Sequence, residues 1–211
     1  MNLKNHRREY KRAILTENCL PELPYPLFTP WLKEALKEEK YDPTAMVLST
    51  AGNDNIPSSR VVLLKESNEK GLVFFTNYLS HNGNDMKQNP YVSLLFFWPV
   101  LERQVRIEGI VQKIPSLESD TYFGSRPEES QVAVWASQQS TPIPDRKVLE
   151  DRFSEFSEKY KGKTIPRPPY WGGYLVVPNR FEFWQGRENR LHDRIEYRWS
   201  DNRWTRRRLA P

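Results

Sequence analysis

The 211-residue chain has one cysteine, Cys19, and three histidines. No disulfide can form within it, and no thiolate metal cluster can be assembled. It has no His-Glu-x-x-His and no glycine-rich phosphate loop, which leaves little room for a metallohydrolase or a P-loop nucleotide enzyme. No apolar run approaches the length that crosses a bilayer. The first residues, Met1 to Arg8, lack the apolar core of a signal peptide. These absences lead to the expectation of a soluble, cytoplasmic protein with no metal and no membrane partner.

What is present is sufficient for a folded core. Hydrophobic residues make up 37% and aromatics 13%, with 7 Trp and 10 Tyr, which argues against disorder. The length suits one domain, and no linker divides it. A formal charge of +5 and a pI near 9.2 favour an anionic partner. Phosphorylated small molecules, nucleic acid and acidic membranes all meet that description, and charge alone does not choose among them.

Residues 1–25 mix charged and amide side chains before Pro21, Pro24 and Pro26, and read as a mobile arm. Residues 26–211 read as a single domain. Trp31, Leu32, Ala35 and Leu36 recur at helical spacing up to Lys40, and Asp42-Pro43 follows as a stop. Short β-branched or aromatic runs then predict strands at 45–48, 60–64, 72–75, 92–97 and 105–108. Helices are predicted near 117–123, after Pro127 and over 145–160. Strands resume at 174–177, 180–184 and 195–199. About eight strands with helices grouped between them predict a mainly β, α+β fold, and closure into a barrel disposes of the sheet edges.

With metal and nucleophile templates nearly empty, redox chemistry on a bound organic cofactor remains, where the protein binds and orients. Arg190-Leu191-His192-Asp193-Arg194 is the densest candidate. In an extended chain, alternation sends Arg190, His192 and Arg194 to one side. Taken alone, the pentapeptide reads more readily as a solvated strand face.

Arg190 to Arg194, preceded by Phe183-Trp184-Gln185-Gly186 and followed by a terminal Arg208-Leu209-Ala210-Pro211, resembles the closing signature of the pyridoxine/pyridoxamine 5′-phosphate oxidase family. The resemblance extends along almost the whole chain. It includes Asp42 to Met46, Arg60 to Lys65, Leu101 to Val105, Tyr122-Phe123 with Ser125-Arg126-Pro127 and Ser130-Gln131, Gln139-Ser140, and Trp171 to Tyr174. The segment His6-Arg7-Arg8-Glu9-Tyr10 also resembles that family's N-terminal arm.

The resemblance implies an FMN-binding split β-barrel. It also implies a homodimer with FMN at the subunit interface, oxidising pyridoxine or pyridoxamine 5′-phosphate to pyridoxal 5′-phosphate with O2 as acceptor and H2O2 as product. It assigns the substrate phosphate to Lys65, Tyr122, Arg126 and Ser130, and the substrate ring to Arg190 and His192 as the catalytic pair. FMN contacts fall to Arg60, Val61, Val62, Leu63 and Lys65, to Phe75 and Thr76, to Gln104, to Gln139 and Ser140, and to Trp184 and Arg194. One guanidinium, one ammonium and two hydroxyls suit a phosphate dianion. Ser125-Arg126-Pro127-Glu128 reads as a capping box, which would start a helix inside the Tyr122/Arg126/Ser130 stripe. Arg60 and Lys65 differ in strand parity, whereas Gln104 and Arg106 share it and also fit a wet strand face. Trp184 also reads as a core aromatic.

The resemblance breaks after Asn77, where the family carries Ser-Arg-Lys and this chain reads Ser80-His81-Asn82. Two cations expected at the FMN phosphate are missing. That departure supports the alternative of a flavin-binding split barrel with reduced or lost oxidase activity. A nucleic-acid binder, suggested by net charge and Arg206-Arg207-Arg208, is the third reading and the weakest.

Overall fold

The computed structural model describes residues 1–5 and 8–211. His6 and Arg7, part of the expected arm motif, and the side chain of Cys19 lie outside the described residues.

Helix α1 (Tyr25–Glu38) begins six residues before the periodic apolar positions, because Pro24 and Pro26 serve its first turn, where a missing N–H costs nothing. Strands β1 (Ala45–Ala51), β2 (Pro57–Leu63), β3 (Glu66–Asn68) and β4 (Gly71–Asn77) follow, then α2 (His81–Gln88), β5 (Tyr91–Trp98) and β6 (Arg103–Lys113). Three helices, α3 (Ser116–Ser125), α4 (Glu128–Ala136) and α5 (Lys147–Tyr160), precede β7 (Trp171–Gln185), β8 (Asp193–Ser200) and β9 (Arg203–Leu209). The two strands expected at 174–177 and 180–184 are one, β7. The short β3 and the arginine-rich β9 were not expected, because neither carries an alternating apolar pattern.

The sheet is antiparallel throughout the described strands, in the order β2-β1-β5-β6-β7-β4-β3, with β8 also on β7 and β9 on β8. β6 follows β7 along one edge. On the other edge, β4 pairs with residues 171–176 and β8 with residues 180–185. One long strand thus serves two partners in succession, and the barrel splits where it changes partner. A register shift at Glu108/Gly109 opposite Pro178 marks that point. A β-carbon on Gly109 would stand 2.3 Å from the Val177 carbonyl oxygen, so only glycine allows the strands to close there.

Leu48, Leu94, Ile107, Phe181, Phe183 and Tyr197 fill the interior, and α1 closes it with Phe28, Trp31 and Ala35. A second apolar cluster, Phe123, Val132, Tyr160, Ile165 and Trp171, ties α3, α4 and α5 to the start of β7. The segment before α1 runs along the barrel with Leu15 and Leu20 buried. The run Arg206-Arg207-Arg208 lies within β9. Arg206 donates to the carbonyls of Leu20 and Pro21, Arg207 to Glu196, and Arg208 to Glu17 and Asp193. Those cations are committed to the fold, which removes the arginine run as a ground for a nucleic-acid surface.

Candidate functional site

The break between α3 and α4 is set by Pro127, which pushes Arg126 into an extended backbone (φ −75°, ψ 151°). The expected capping box does not form: Ser125 Oγ donates to the Tyr122 carbonyl at 2.8 Å, and α4 is capped at Pro127 without a side-chain bond. A helix does start inside the stripe. Tyr122 stacks on Phe75 at 3.9 Å between centroids, and Phe75 stacks on Trp171 at 5.4 Å. The Arg126 guanidinium lies 4.8 Å above the Trp171 ring. Its Nη1 is buried with no hydrogen-bond partner among the described residues. Burial lowers the Arg126 pKa, yet arginine stays charged, so this is a desolvated cation short of an anion. Lys65, just beyond the end of β2, borders a cavity of about 790 Å³ together with Phe75, Tyr122 and Ser125. Ser130 sits in the first turn of α4.

A second group forms at the N-terminus of α2. Ser80 caps this helix through Gly83 N–H, and the His81 N–H donates to Ser140 Oγ at 3.3 Å. With its amide oxygen toward Arg60, Gln139 accepts from both Nη1 and Nη2, at 2.9 and 3.0 Å. Thr76 is buried, and its Oγ1 lacks a partner among the described residues. Asn82 turns inward, its Nδ2 donating to Thr50 Oγ1 at 2.8 Å, while Thr50 donates to Asp85. It therefore does not offer its amide to an anion at the helix end. Lys87 lies in the last turn, at the opposite end of α2.

The third group lies on the outer face of the barrel. Cross-strand register sets Gln104, Trp184 and Arg194 side by side on β6, β7 and β8. Trp184 is half-exposed, and the interior is filled by its neighbour Phe183. Arg194 donates to Glu182 from Nε at 2.9 Å and to the Ala210 carbonyl from Nη1 at 2.7 Å. Glu182, 2% exposed, also accepts from Arg106 at 2.5 Å and faces Arg180 at 3.6 Å.

The expected alternation from Arg190 to Arg194 does not occur, because the chain is extended only from Asp193 onward. Asn189 and Arg190 have left-handed backbones, φ 55° and 62°, and coil the chain so that His192 meets the start of its own loop. His192 Nδ1 accepts from the Arg187 N–H at 3.1 Å. Burial and the Arg190 charge hold the His192 pKa below its ordinary 6.5, against the opposing pull of Asp193. A neutral imidazole that accepts at Nδ1 carries its proton on Nε2, so His192 presents an N–H donor. Its ring packs 4.6 Å from Trp184, and Tyr10 from the arm closes edge-on against both. Sequence reasoning gave no role to Tyr10, Glu102 or Glu182, since their partners lie far away in the chain.

Register separates these groups. Arg60 pairs with Leu48, Leu48 with Leu94, and Leu94 with Ile107, a row whose last three members are core residues. Ile107 and Gln104 are three apart on one strand, so Arg60 and Val62 belong to the face opposite Gln104, Trp184 and Arg194. Val61 and Leu63 point outward with the latter set. Along β7, Trp171 beside Arg126 and Trp184 beside His192 are separated by roughly 40 Å of strand. One chain therefore does not bring Arg190 and His192 to its own Arg126.

Residues 32–160 match the family model for pyridoxamine 5′-phosphate oxidase, and residues 171–211 match the pyridoxine 5′-phosphate oxidase C-terminal dimerisation region. The chain is 51% identical over 211 residues to a pyridoxine/pyridoxamine 5′-phosphate oxidase of Haemophilus influenzae, covering 100% of both. It is 49% identical to that of Chromohalobacter salexigens, covering 97% of this chain and 96% of the other. Among solved structures, PhzG from Burkholderia lata 383, in complex with tetrahydrophenazine-1-carboxylic acid, superposes with a TM-score of 0.88 at 30% identity, covering 94% of this chain and 98% of that one. An FMN-binding protein of Nostoc punctiforme related to pyridoxamine 5′-phosphate oxidase shares the fold, with a TM-score of 0.73 at 15% identity over 91% of this chain and all of that one. The mainly β split barrel, the row beside Trp184 and the full-length matches agree, and the chain belongs to the pyridoxine/pyridoxamine 5′-phosphate oxidase family.

Proposed function

We propose that this protein is a cytoplasmic enzyme that oxidises pyridoxine and pyridoxamine 5′-phosphates to pyridoxal 5′-phosphate, with O2 as the final acceptor and H2O2 as its product. FMN is the cofactor, and the residues present suit it: Arg60 with Gln139, Ser140 and the α2 terminus offer donors to a phosphate, and Thr76 Oγ1 is a buried polar atom without a partner among the described residues. Bound FMN supplies the two-electron acceptor for the hydride leaving the substrate's C4′ carbon.

The observation that carries the substrate reading is Arg126, a buried guanidinium on an aromatic platform with an unpartnered Nη1. Lys65, Tyr122 and Ser130 complete a clamp for a phosphate dianion. Arg190 and the Nε2–H of His192 orient the pyridine ring and stabilise its charge as hydrogen is lost. Val62 would line the flavin on the Arg60 side, with Lys65 beyond the end of β2 and Phe75 on β4 flanking it, and Gln104, Trp184 and Arg194 would meet it from the other face, which Val61 and Leu63 share. The opposite faces of these sets support a homodimer in which each flavin lies between subunits, with one subunit's clamp facing its partner's Arg190 loop. Residues 1–25 act as an arm on one oxidase domain, 26–211.

The test is direct: purify the protein, record its flavin spectrum with added FMN, and measure pyridoxal 5′-phosphate formation and O2 consumption with pyridoxine 5′-phosphate. Flavin binding without product would instead favour a split-barrel protein whose oxidase activity is reduced or lost.

A further inference from the structure

Glu102 ends the turn between β5 and β6 in a left-handed backbone, φ 55°, a conformation disfavoured for residues that carry a β-carbon. The residue is only 7% exposed. A single carboxylate oxygen, Oε2, accepts the backbone N–H of Lys11 at 2.8 Å and of Arg12 at 2.9 Å, some ninety residues away in the chain. Its Oε1 faces Arg8 Nη2 at 3.3 Å. The backbone carbonyl of the same residue accepts from Gly186 N–H at 2.8 Å and from Gln185 Nε2 at 3.2 Å. Glu102 thus joins the N-terminal segment to the point where β7 leads into the His192 loop.

Tyr10 immediately precedes the two held amides. Its ring centroid lies 5.7 Å from that of His192 and 5.5 Å from that of Trp184. A β-carbon on Gly186 would stand 2.7 Å from the Tyr10 Cβ, so the seat exists because residue 186 is glycine. Lys11 Nζ adds an ion pair to Glu188 of the same loop at 3.0 Å. A second anchor, Leu15 N–H to Asp193 Oδ2 at 3.0 Å, holds the chain further on. Among the described residues, only Glu102 fixes the main chain beside Tyr10.

We propose that Glu102 is a positioning residue, whose carboxylate sets the register of residues 8–12 so that Tyr10 closes against His192 and Trp184 and shapes the subsite for the substrate ring. The inference rests on the assignment of the ring to Arg190 and His192. Glu102 touches no reacting atom, and its effect is carried by the seating of Tyr10.

The test uses the full-length FMN-loaded protein with Glu102→Ala, Glu102→Gly and Glu102→Gln. Glycine accepts the left-handed turn more readily than glutamate, so a loss of arm seating in that variant does not come from a strained or unfolded turn. Glutamine can place Oε1 where Oε2 stands and keep both bonds. Tryptic cleavage after Lys11 and Arg12, followed by mass spectrometry, is expected to quicken about tenfold or more in the alanine and glycine variants, since each lost charge-assisted bond is worth about that factor. The KM for pyridoxine 5′-phosphate rises with it, kcat and flavin affinity hold, and the glutamine variant behaves as the parent. Parental cleavage rates in both the alanine and glycine variants overturn the proposal. Faster cleavage with an unchanged KM leaves the latch standing and overturns the placement of the substrate ring at Arg190 and His192.

Discussion

The Arg187 backbone N–H donates to Nδ1 of His192 across 3.1 Å, closing a loop whose two left-handed residues, Asn189 and Arg190, turn the chain back on itself. The bond requires Nδ1 to be unprotonated. His192 is held below its ordinary pKa of 6.5 by burial first and the Arg190 charge second, so it is neutral at physiological pH. Acidification through that lowered pKa protonates Nδ1 and breaks the bond. We expect kcat/KM to stay level at neutral pH and to fall only below about pH 6.5. Arg190→Ala should lower turnover far more than flavin retention, and should move the acid limb of its residual activity upward. An acid limb in Arg190→Ala at or below that of the parent would refute the coupling.

Arg126 should govern the substrate's phosphate. Its removal takes away a charge-assisted bond worth about 1.5–3 kcal/mol, a factor of about ten to a hundred in KM. Arg126→Lys should recover little, because a point ammonium neither spreads over the Trp171 face nor bonds in two directions. Steady-state kinetics with pyridoxine 5′-phosphate set against flavin titration separates this from an effect on the cofactor.

The two halves of each site should complement one another. Arg126→Ala and Arg190→Ala proteins, each nearly inactive when assayed well below the parental KM, regain activity when unfolded together and refolded if every site draws the clamp from one subunit and the ring contacts from the other. Random pairing gives mixed dimers in half the population, each with one intact site of two, or about a quarter of parental activity. No recovery would place both sets of residues in one chain.

His81 and Asn82 occupy positions where the resemblance to the family leads to the expectation of cations, and they differ in what they can contribute. Asn82 is committed to Thr50 and Ser58, whereas His81 is exposed beside Ser140 and 3.8 Å from Asp85. We expect His81→Arg to tighten FMN by about tenfold to a hundredfold, the value of one charge-assisted bond. Asn82→Lys should instead lower the melting temperature, because it buries an unpaired ammonium against the Thr50 hydroxyl. Apoprotein titration with FMN and thermal unfolding give the two readouts.

Glu182, itself buried, holds Arg106 and Arg194 and faces Arg180 on the outer face. Glu182→Leu leaves these cations without their shared carboxylate, although Arg106 keeps Glu108 and Arg180 keeps Glu108 and Glu196, and should cost about 1–3 kcal/mol of stability, measured by urea unfolding, with weaker FMN binding through the loosened Arg194.

Local pattern is enough to read the strands that alternate or carry β-branched runs and the helices after Pro115 and Pro127, because each follows from neighbours in the chain. The order of motifs from Asp42 to Pro211 likewise identifies the family from sequence alone. Other features depend on partners that sequence spacing does not reveal. β7 is one strand because β6 supports it across Pro178, and β9 is a strand because Glu196, Asp193 and Glu17 neutralise its arginines. The left-handed turn at Arg190 overrides simple alternation, and Glu102 reaches an arm about ninety residues earlier. Residue types and their order determined what this protein can bind. Only the tertiary structure decided which face each group occupies, because strand parity, barrel closure and long-range hydrogen bonds are set jointly by segments that are distant in the chain.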